Sequence, residues 1–240
     1  MGVNGPEFAL LCVTVGVGAL LQVSIGFGLG MIAAPVFALV DPELAPVAVL
    51  LLAGGVTASV LVRERGRADL RGCGWALAGR IPGVLGGTFL VVALPARYLA
   101  LLIAAVVLAG VAVSMAGFVP GQRRSAVVLA GMASGVMGTA TSIGGPPMAM
   151  VWQRLRGPEL RATMSAFFLV GSLMSLAALT AAGTVGAHAL WGALLLAPAA
   201  VAGVLLSRPF TRRLDVRRTR TAATVLAVAG AAVLVAQQFV

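Results

Sequence analysis

The sequence predicts an all-α integral membrane protein with two inverted-topology repeats, each a broken or re-entrant helical hairpin plus three transmembrane helices. Composition is the first reason: 60% of the 240 residues are hydrophobic, only 10% are charged, and mean hydropathy is +1.05. A soluble domain carries about 25% charged residues. Because so little polar surface is available to face water, the bilayer is the expected solvent. We therefore expect a single membrane domain over residues 1–240.

Eight long apolar runs are the second reason, and six of them are near the ~20 residues that a helix needs to cross a bilayer. Phe8–Val40 and Ser125–Trp152 are longer, about 50 and 42 Å as continuous helices against a hydrocarbon core of ~30 Å. Glycine-rich segments interrupt both, at Ser24–Gly30 and at Thr141–Pro147. We therefore expect each to form two helices, both too short to span comfortably, that enter and return on one side. The other runs are Leu44–Val62, Gly72–Leu94, Tyr98–Val119, Leu160–Ala182, His188–Ser207 and Thr221–Phe239.

The distribution of arginine is the third reason. All 17 basic residues are arginines, and most of them lie in short clusters between apolar runs, which is typical of cytoplasmic loops of membrane proteins. If Ser125–Trp152 returns to its own side, fifteen arginines share one face, only Arg97 lies opposite, and Arg80 lies within a span. If that run crosses, the clusters divide six against ten. The positive-inside rule therefore favours the hairpin, in the cytoplasmic membrane.

An internal repeat relates the two halves, about 8–119 and 125–239. Pro42-Glu43-Leu44 recurs as Pro158-Glu159-Leu160 after 116 positions, and Trp75 and Trp191, two of only three tryptophans, match at the same offset. A hairpin plus three spans inserts its second copy upside down, which places both termini outside the cytoplasm. Further matches at or near this offset are Gly55 with Gly171, Pro82 with Pro198, Gly87 with Gly203, and Ser24-Ile25-Gly26 with Ser142-Ile143-Gly144.

The two interruptions form the candidate substrate site, because folds with inverted repeats bind substrates near the midplane where half-helix ends meet. Gly144-Gly145-Pro146-Pro147 predicts a half-helix from near Pro146 to Trp152, whose N-terminal N–H groups favour an anion such as sulfite, sulfonate or carboxylate. Close helix packing through small residues is the alternative interpretation of the glycines. The candidate substrate-binding residues are Gln22, Ser24, Gly26, Gly28, Thr139, Thr141, Ser142, Gly144, Gly145, Pro146 and Arg80.

Few other side chains can carry chemistry. Arg80 is either a counter-charge for a bound anion or a residue that snorkels to the nearby basic loop. His188, the single histidine, is interpreted as an interface residue rather than a proton relay. Glu43 and Glu159 are interpreted as helix-capping acids, with proton coupling as the alternative.

Several features together resemble the sulfite exporter family TauE/SafE over essentially the whole chain. They are the glycine-rich interruption near the N-terminus, its echo after a basic central loop, the Gly144-Gly145-Pro146 element and the all-membrane length. The resemblance implies an anion transporter, often for sulfite or organosulfonates such as sulfoacetate, without a nucleotide-binding subunit. The family's first motif usually has consecutive glycines followed by a proline, whereas this chain has Gly26-Phe27-Gly28-Leu29-Gly30 and then Pro35. That departure bears on the substrate more than on the fold.

These observations predict a secondary transporter, in the export direction, that moves a small anion by alternating access. An anion channel is the nearest alternative. A membrane-embedded enzyme is disfavoured because the chain has no metalloprotease His-Glu-Xaa-Xaa-His element and no Ser/His/Asp set, so no catalytic residue, metal or cofactor is expected. A scaffold role would leave the duplicated interruptions unexplained. The expected partners are the small anion and the lipid bilayer, with a homodimer as one candidate assembly and no nucleic acid.

Overall fold

The architecture follows from a computed structural model that describes residues 4–64, 66–115 and 123–210, together with residues 228 and 232. Within these residues the chain is helical and contains no strand, which confirms the all-α prediction. The predicted run Thr221–Phe239 lies outside the described residues except for 228 and 232. The helices are α1 Gly5–Ile25, α2 Leu29–Val40, α3 Val47–Arg63, α4 Leu70–Ala93, α5 Ala96–Met115, α6 Arg124–Thr141, α7 Gly145–Val151, α8 Gly157–Ala181 and α9 Ala187–Phe210. A short 3-10 helix, Pro42–Leu44, separates α2 from α3.

The outer surface is apolar. Helices α1, α4 and α8, and Ala187–Ser207 of α9, are long and apolar enough to cross a membrane. Large side chains on their outer faces, such as Leu85 and Phe89 of α4 and Leu194 of α9, are more than half exposed. A continuous apolar surface of this kind is unfavourable in water and favourable against lipid. The chain is therefore a multi-pass membrane protein.

The first long run breaks within the predicted interruption, a few residues beyond its middle. Ser24 stays inside α1, where its hydroxyl donates to the Leu20 carbonyl (2.7 Å), and the helix ends only at Gly26, whose φ is +91°. Gly28 has a φ of +138°, another conformation that glycine adopts without a Cβ penalty. The expectation that both helices of this run are too short to span is therefore wrong for α1, whose 21 residues can cross a membrane. Periodicity could not locate the end of α1, because the chain stays helical until it reaches a glycine.

The second long run breaks where the sequence predicts. Helix α6 ends at Thr141, and α7 begins at Gly145, one residue before the predicted start at Pro146. Between them Ser142 adopts a φ of 61°, which is uncommon for a residue with a side chain. Its hydroxyl donates to the Pro46 carbonyl (3.0 Å), and this bond ties the break to the start of α3.

Each broken segment packs against a helix of the other half of the chain. Helix α6 lies against α4, and a Cβ added to Gly83 of α4 would come within 3.0 Å of the Gly135 Cα on α6. Helix α1 lies against α9, where a Cβ on Gly203 would come within 2.9 Å of the Ala19 Cβ. Small residues permit such close approach in membranes. The pairs α6–α4 and α1–α9 match each other under the repeat, as a duplicated unit would predict. The inverted orientation of the two copies stays a prediction.

Candidate functional site

The two helix breaks meet inside the protein. The start of α2 touches the second break so closely that a Cβ on Gly30 would collide with the Ser142 carbonyl. A Cβ on Gly145 would lie 2.8 Å from the Phe27 ring, which belongs to the first break. A cavity of about 40 Å³ lies between the breaks, with further walls from α3, α4 and α8. It can hold only a small group, because one water molecule already needs roughly 10–15 Å³ on this measure.

Arg80 contributes the charge of this cavity. It lies near the middle of α4, is only 1% exposed and lines the cavity, so its side chain does not snorkel to the basic loop. Its Nη1 donates to the Ser134 hydroxyl (3.1 Å), and Ser134 donates in turn to the Gly144 carbonyl (2.7 Å). The arginine is thereby connected, through one hydroxyl, to the break between α6 and α7.

Aromatic rings and a glycine surround the Arg80 guanidinium. Its Cζ lies 4.9 Å from the centre of the Phe167 ring and 6.0 Å from that of Phe168, both within cation–π range. A Cβ on Gly171 would come within 2.9 Å of the Arg80 Cδ and would collide with the guanidinium itself. The Nε atom is buried without a hydrogen-bond partner. No carboxylate among the described residues pairs with this arginine.

Gln22 and Ser142 line the cavity and also hold its walls. The Gln22 amide nitrogen donates to the Ala53 carbonyl (3.1 Å), and its Oε1 accepts from the Leu29 N–H (3.3 Å). Gln22 therefore bridges α1, α2 and α3 across the first break. The Ser142 hydroxyl is engaged by Pro46, as described above. Both polar side chains line the cavity, but the hydrogen bonds that they form join neighbouring helices.

The cavity brings together about half of the residues predicted for the site. Gln22, Gly28, Arg80, Ser142, Gly144 and Gly145 line it. The remaining five do not line it. Ser24 and Thr141 donate to carbonyls four residues earlier in their own helices, which is common for such hydroxyls. Thr139 shares a hydrogen bond with Ser175 (2.8 Å), Gly26 packs on Met164, and Pro146 is buried without lining the cavity.

Other lining residues escaped the sequence analysis. Phe168 and Ser172 lie on one face of α8, four residues apart, and Met31 and Gly138 complete the walls from α2 and α6. The partners of Arg80, Ser134 and Phe167, were missed as well. The only sequence signal for this region was Gly171, which matches Gly55 in the repeat. That match did not indicate that Gly171 lies against the Arg80 guanidinium.

The short helix α7 offers few hydrogen-bond donors. It has seven residues, and Pro146 and Pro147 remove two N–H groups from its first turn. The attraction for an anion expected from this terminus is therefore smaller than that of an ordinary helix N-terminus. The positive centre of the cavity is the Arg80 side chain.

Two side-chain contacts between the halves of the chain lie at opposite ends of α3. At its C-terminal end, Glu64 accepts from Arg161 of α8, with Nη2 at 2.6 Å and Nε at 3.2 Å. Near its N-terminal end, His188 Nε2 lies 2.7 Å from an Asp41 carboxylate oxygen. The predicted interface histidine therefore has a specific partner.

The fold and the cavity define a class: multi-pass α-helical membrane proteins with a buried, positively charged cavity between two interrupted helices. Comparison with family models identifies the family. The model described as Sulfite exporter TauE/SafE matches residues 10–234, nearly the whole chain. The chain belongs to this family, which confirms the resemblance seen in the sequence, and the family is one of transporters that export sulfite or other anions. Searches of curated proteins and of solved structures found no match.

Proposed function

We propose that this protein is a secondary transporter that exports sulfite or an organosulfonate across the cytoplasmic membrane by alternating access. One observation carries the proposal: Arg80 is a buried guanidinium in the middle of a membrane-spanning helix, at a cavity, with no carboxylate partner among the described residues. Such a charge is costly to bury and marks a functional site by default. A bound anion would supply the missing counter-charge.

The surroundings of Arg80 favour an anion that is bound for transport over an anion that only stabilises the fold. The Ser134 bond and the Phe167 ring hold the guanidinium in place, whereas its Nε is left without a partner. An anion in the cavity could accept from the guanidinium, which is buried in the protein, where charge–charge attraction is stronger than in water. The cavity walls come from both breaks, so a movement of either break would change access to the anion.

The arrangement of helices supports alternating access. Each broken segment packs on a helix from the other half, α6 on α4 and α1 on α9. The Glu64–Arg161 and Asp41–His188 pairs join these halves at opposite ends of α3. We propose that one pair opens while the other stays closed. In this proposal the arginine-rich loops are cytoplasmic and both termini are extracytoplasmic.

The first test is binding by purified, detergent-solubilised protein. Sulfite, sulfoacetate, taurine, sulfate, acetate and chloride are compared by thermal unfolding, because a ligand of the folded state raises the apparent stability. We expect a selective shift with a sulfur oxyanion. Arg80→Gln is expected to lose the shift, whereas Arg71→Gln, which removes an exposed arginine from the same helix, is expected to keep it. An unchanged shift in Arg80→Gln would remove Arg80 from the site.

Transport itself is measured in proteoliposomes. A transporter with alternating access shows counterflow, in which an excess of unlabelled anion inside drives uptake of labelled sulfite. Uptake that never exceeds equilibrium would indicate an anion channel instead. Accessibility of a cysteine placed in Gly183–Ala187 checks the topology, because labelling only from the cytoplasm would contradict the inverted arrangement.

A further inference from the structure

The cavity has a single formal charge. Among the residues that line it, Arg80 alone is ionisable, and the neutral polar lining is limited to Gln22, Ser142 and Ser172. Every acidic residue that the structure describes lies outside this lining. The charge available to a ligand is therefore one positive unit, without a second cation to share a larger negative charge.

We infer that the site takes an oxyanion with one negative charge, bisulfite rather than the sulfite dianion, and discriminates against dianions such as sulfate. The inference rests on the proposed function, because it assumes an anion at Arg80. A monoanion beside the guanidinium leaves the buried cavity neutral. A dianion would leave one uncompensated negative charge beside a single buried cation and few neutral polar groups, and such a charge is disfavoured.

The walls prevent other groups from compensating a second negative charge. The Phe167 ring covers the guanidinium, and Nη1 is already engaged by Ser134. The exposed arginines Arg71 and Arg124 do not line the cavity.

The size of the cavity also favours a small monoanion. The cavity is small, about 40 Å³, and a second charged group on a carbon chain would need additional volume. Sulfoacetate carries both a sulfonate and a carboxylate, so it is disfavoured by charge and by size. Bisulfite is small and monovalent, and an inside-negative membrane potential drives a monoanion outward without a coupling ion.

The test uses anions whose charge does not change near neutral pH. Methanesulfonate and sulfate are both tetrahedral and similar in size, but they carry one and two charges. In equilibrium binding to the detergent-solubilised full chain we expect methanesulfonate to bind at least tenfold more tightly than sulfate. Sulfite binding should weaken as the pH rises through the second ionisation of sulfurous acid, in proportion to the loss of bisulfite.

A charge added to the wall should reverse the preference. Met31→Lys places a second cation on the lining at nearly constant side-chain length, and Met31→Gln is its neutral control. We expect Met31→Lys to shift the sulfate-to-methanesulfonate affinity ratio at least tenfold toward sulfate and Met31→Gln to leave the ratio unchanged. Thermal unfolding without ligand checks that both variants fold.

The outcomes separate the inference from the proposed function. If wild type binds sulfate as tightly as methanesulfonate, and Arg80→Gln loses both, the charge rule is overturned and the anion site stands. If wild type binds neither anion nor sulfite, or Arg80→Gln binds them normally, the anion site itself is overturned. A ratio equal in Met31→Lys and Met31→Gln would also overturn the charge rule.

Discussion

The region around Arg80 differs sharply from the region that matches it in the other half of the chain. At the offset of 116 residues, Arg80 corresponds to Leu196 and Gly171 to Gly55. Arg80 lies over Gly171 beside the cavity, whereas Leu196 is fully buried in an apolar cluster with Leu11 and other aliphatic residues. A Cβ on Gly55 would meet nothing within 4 Å.

The packing of the scaffold is alike in the two regions. Gly87 of α4 lies so close to α6 that a Cβ would come within 2.7 Å of the Thr139 Cβ, and Gly203 of α9 is similarly close to Ala19 of α1. Matching glycines thus serve matching helix contacts, while only one region carries a buried charge. The comparison teaches that close helix packing can be duplicated without duplicating the buried charge.

The largest effect is expected when the buried residues of the two regions are exchanged. Leu196→Arg places a charge in an apolar cluster without a partner and should destabilise the protein by several kcal/mol. Arg80→Leu removes a charge that already lacks a carboxylate, so it should fold with at least wild-type stability while losing anion binding. Thermal unfolding and size-exclusion profiles measure both. Equal stability of Leu196→Arg and wild type would refute the contrast between the regions.

The next effect concerns the glycines beneath these residues. Gly171→Ala must displace the guanidinium, so we expect at least a tenfold loss of anion affinity. Gly55→Ala is the matched control, because its Cβ enters open space and alanine favours helix. Both are measured by anion titration. A loss of affinity in Gly55→Ala as large as in Gly171→Ala would mean that the two regions are functionally equivalent.

A smaller effect is expected at Ser134. Ser134→Ala removes the acceptor for Arg80 Nη1 and the donor to Gly144, and a hydrogen bond to a charged group is worth about 1.5–3 kcal/mol. We expect weaker anion binding with a fold that survives, measured by titration and thermal unfolding. Ser59→Ala, which removes only a bond within α3 to the Val56 carbonyl, is the control. Unchanged affinity in Ser134→Ala would show that Arg80 is positioned by its aromatic neighbours alone.

The smallest effect is expected at the Glu64–Arg161 and Asp41–His188 contacts, because partly exposed pairs contribute about 0–1 kcal/mol. Glu64→Gln and Asp41→Asn each weaken one of these contacts, at opposite ends of α3. We expect little change in unfolding temperature but opposite changes in the labelling of a cysteine placed at Ser172. Labelling should rise from the cytoplasmic side in Glu64→Gln and from the other side in Asp41→Asn. The same direction in both variants would contradict the assignment of the pairs to two gates.

Much of the fold was predictable because its signals are local. The interruption near Gly144 predicted the start of α7 to within one residue, since prolines and glycines act on the backbone where they stand. The end of α1 was less predictable. Ser24 and Ser142 each begin a Ser-Ile-Gly tripeptide. Ser24 nevertheless stays helical, whereas Ser142 follows the end of its helix and its hydroxyl donates to the Pro46 carbonyl. That bond joins residues far apart in the chain and has no local signature.

The lining of the cavity was only partly predictable for the same reason. Arg80 could be singled out because a charge within an apolar span is conspicuous in composition. Its neighbours Ser134 and Phe167 could not, because serine and phenylalanine are ordinary residues in a membrane helix. The hydroxyls of Ser24 and Thr141 attracted attention as polar groups, but their own helices supply their acceptors.

The sequence by itself determined that the protein lies in a lipid bilayer, that it is helical, that two helices are interrupted and which family it belongs to. These follow from composition and from backbone preferences that act within a few residues. Only the tertiary structure decided which residues share the cavity, how Arg80 is held and why the matching Leu196 lies in an apolar cluster. Those outcomes depend on contacts between residues distant in the chain, where close packing of glycines sets the distance between helices and so the space left for a charge.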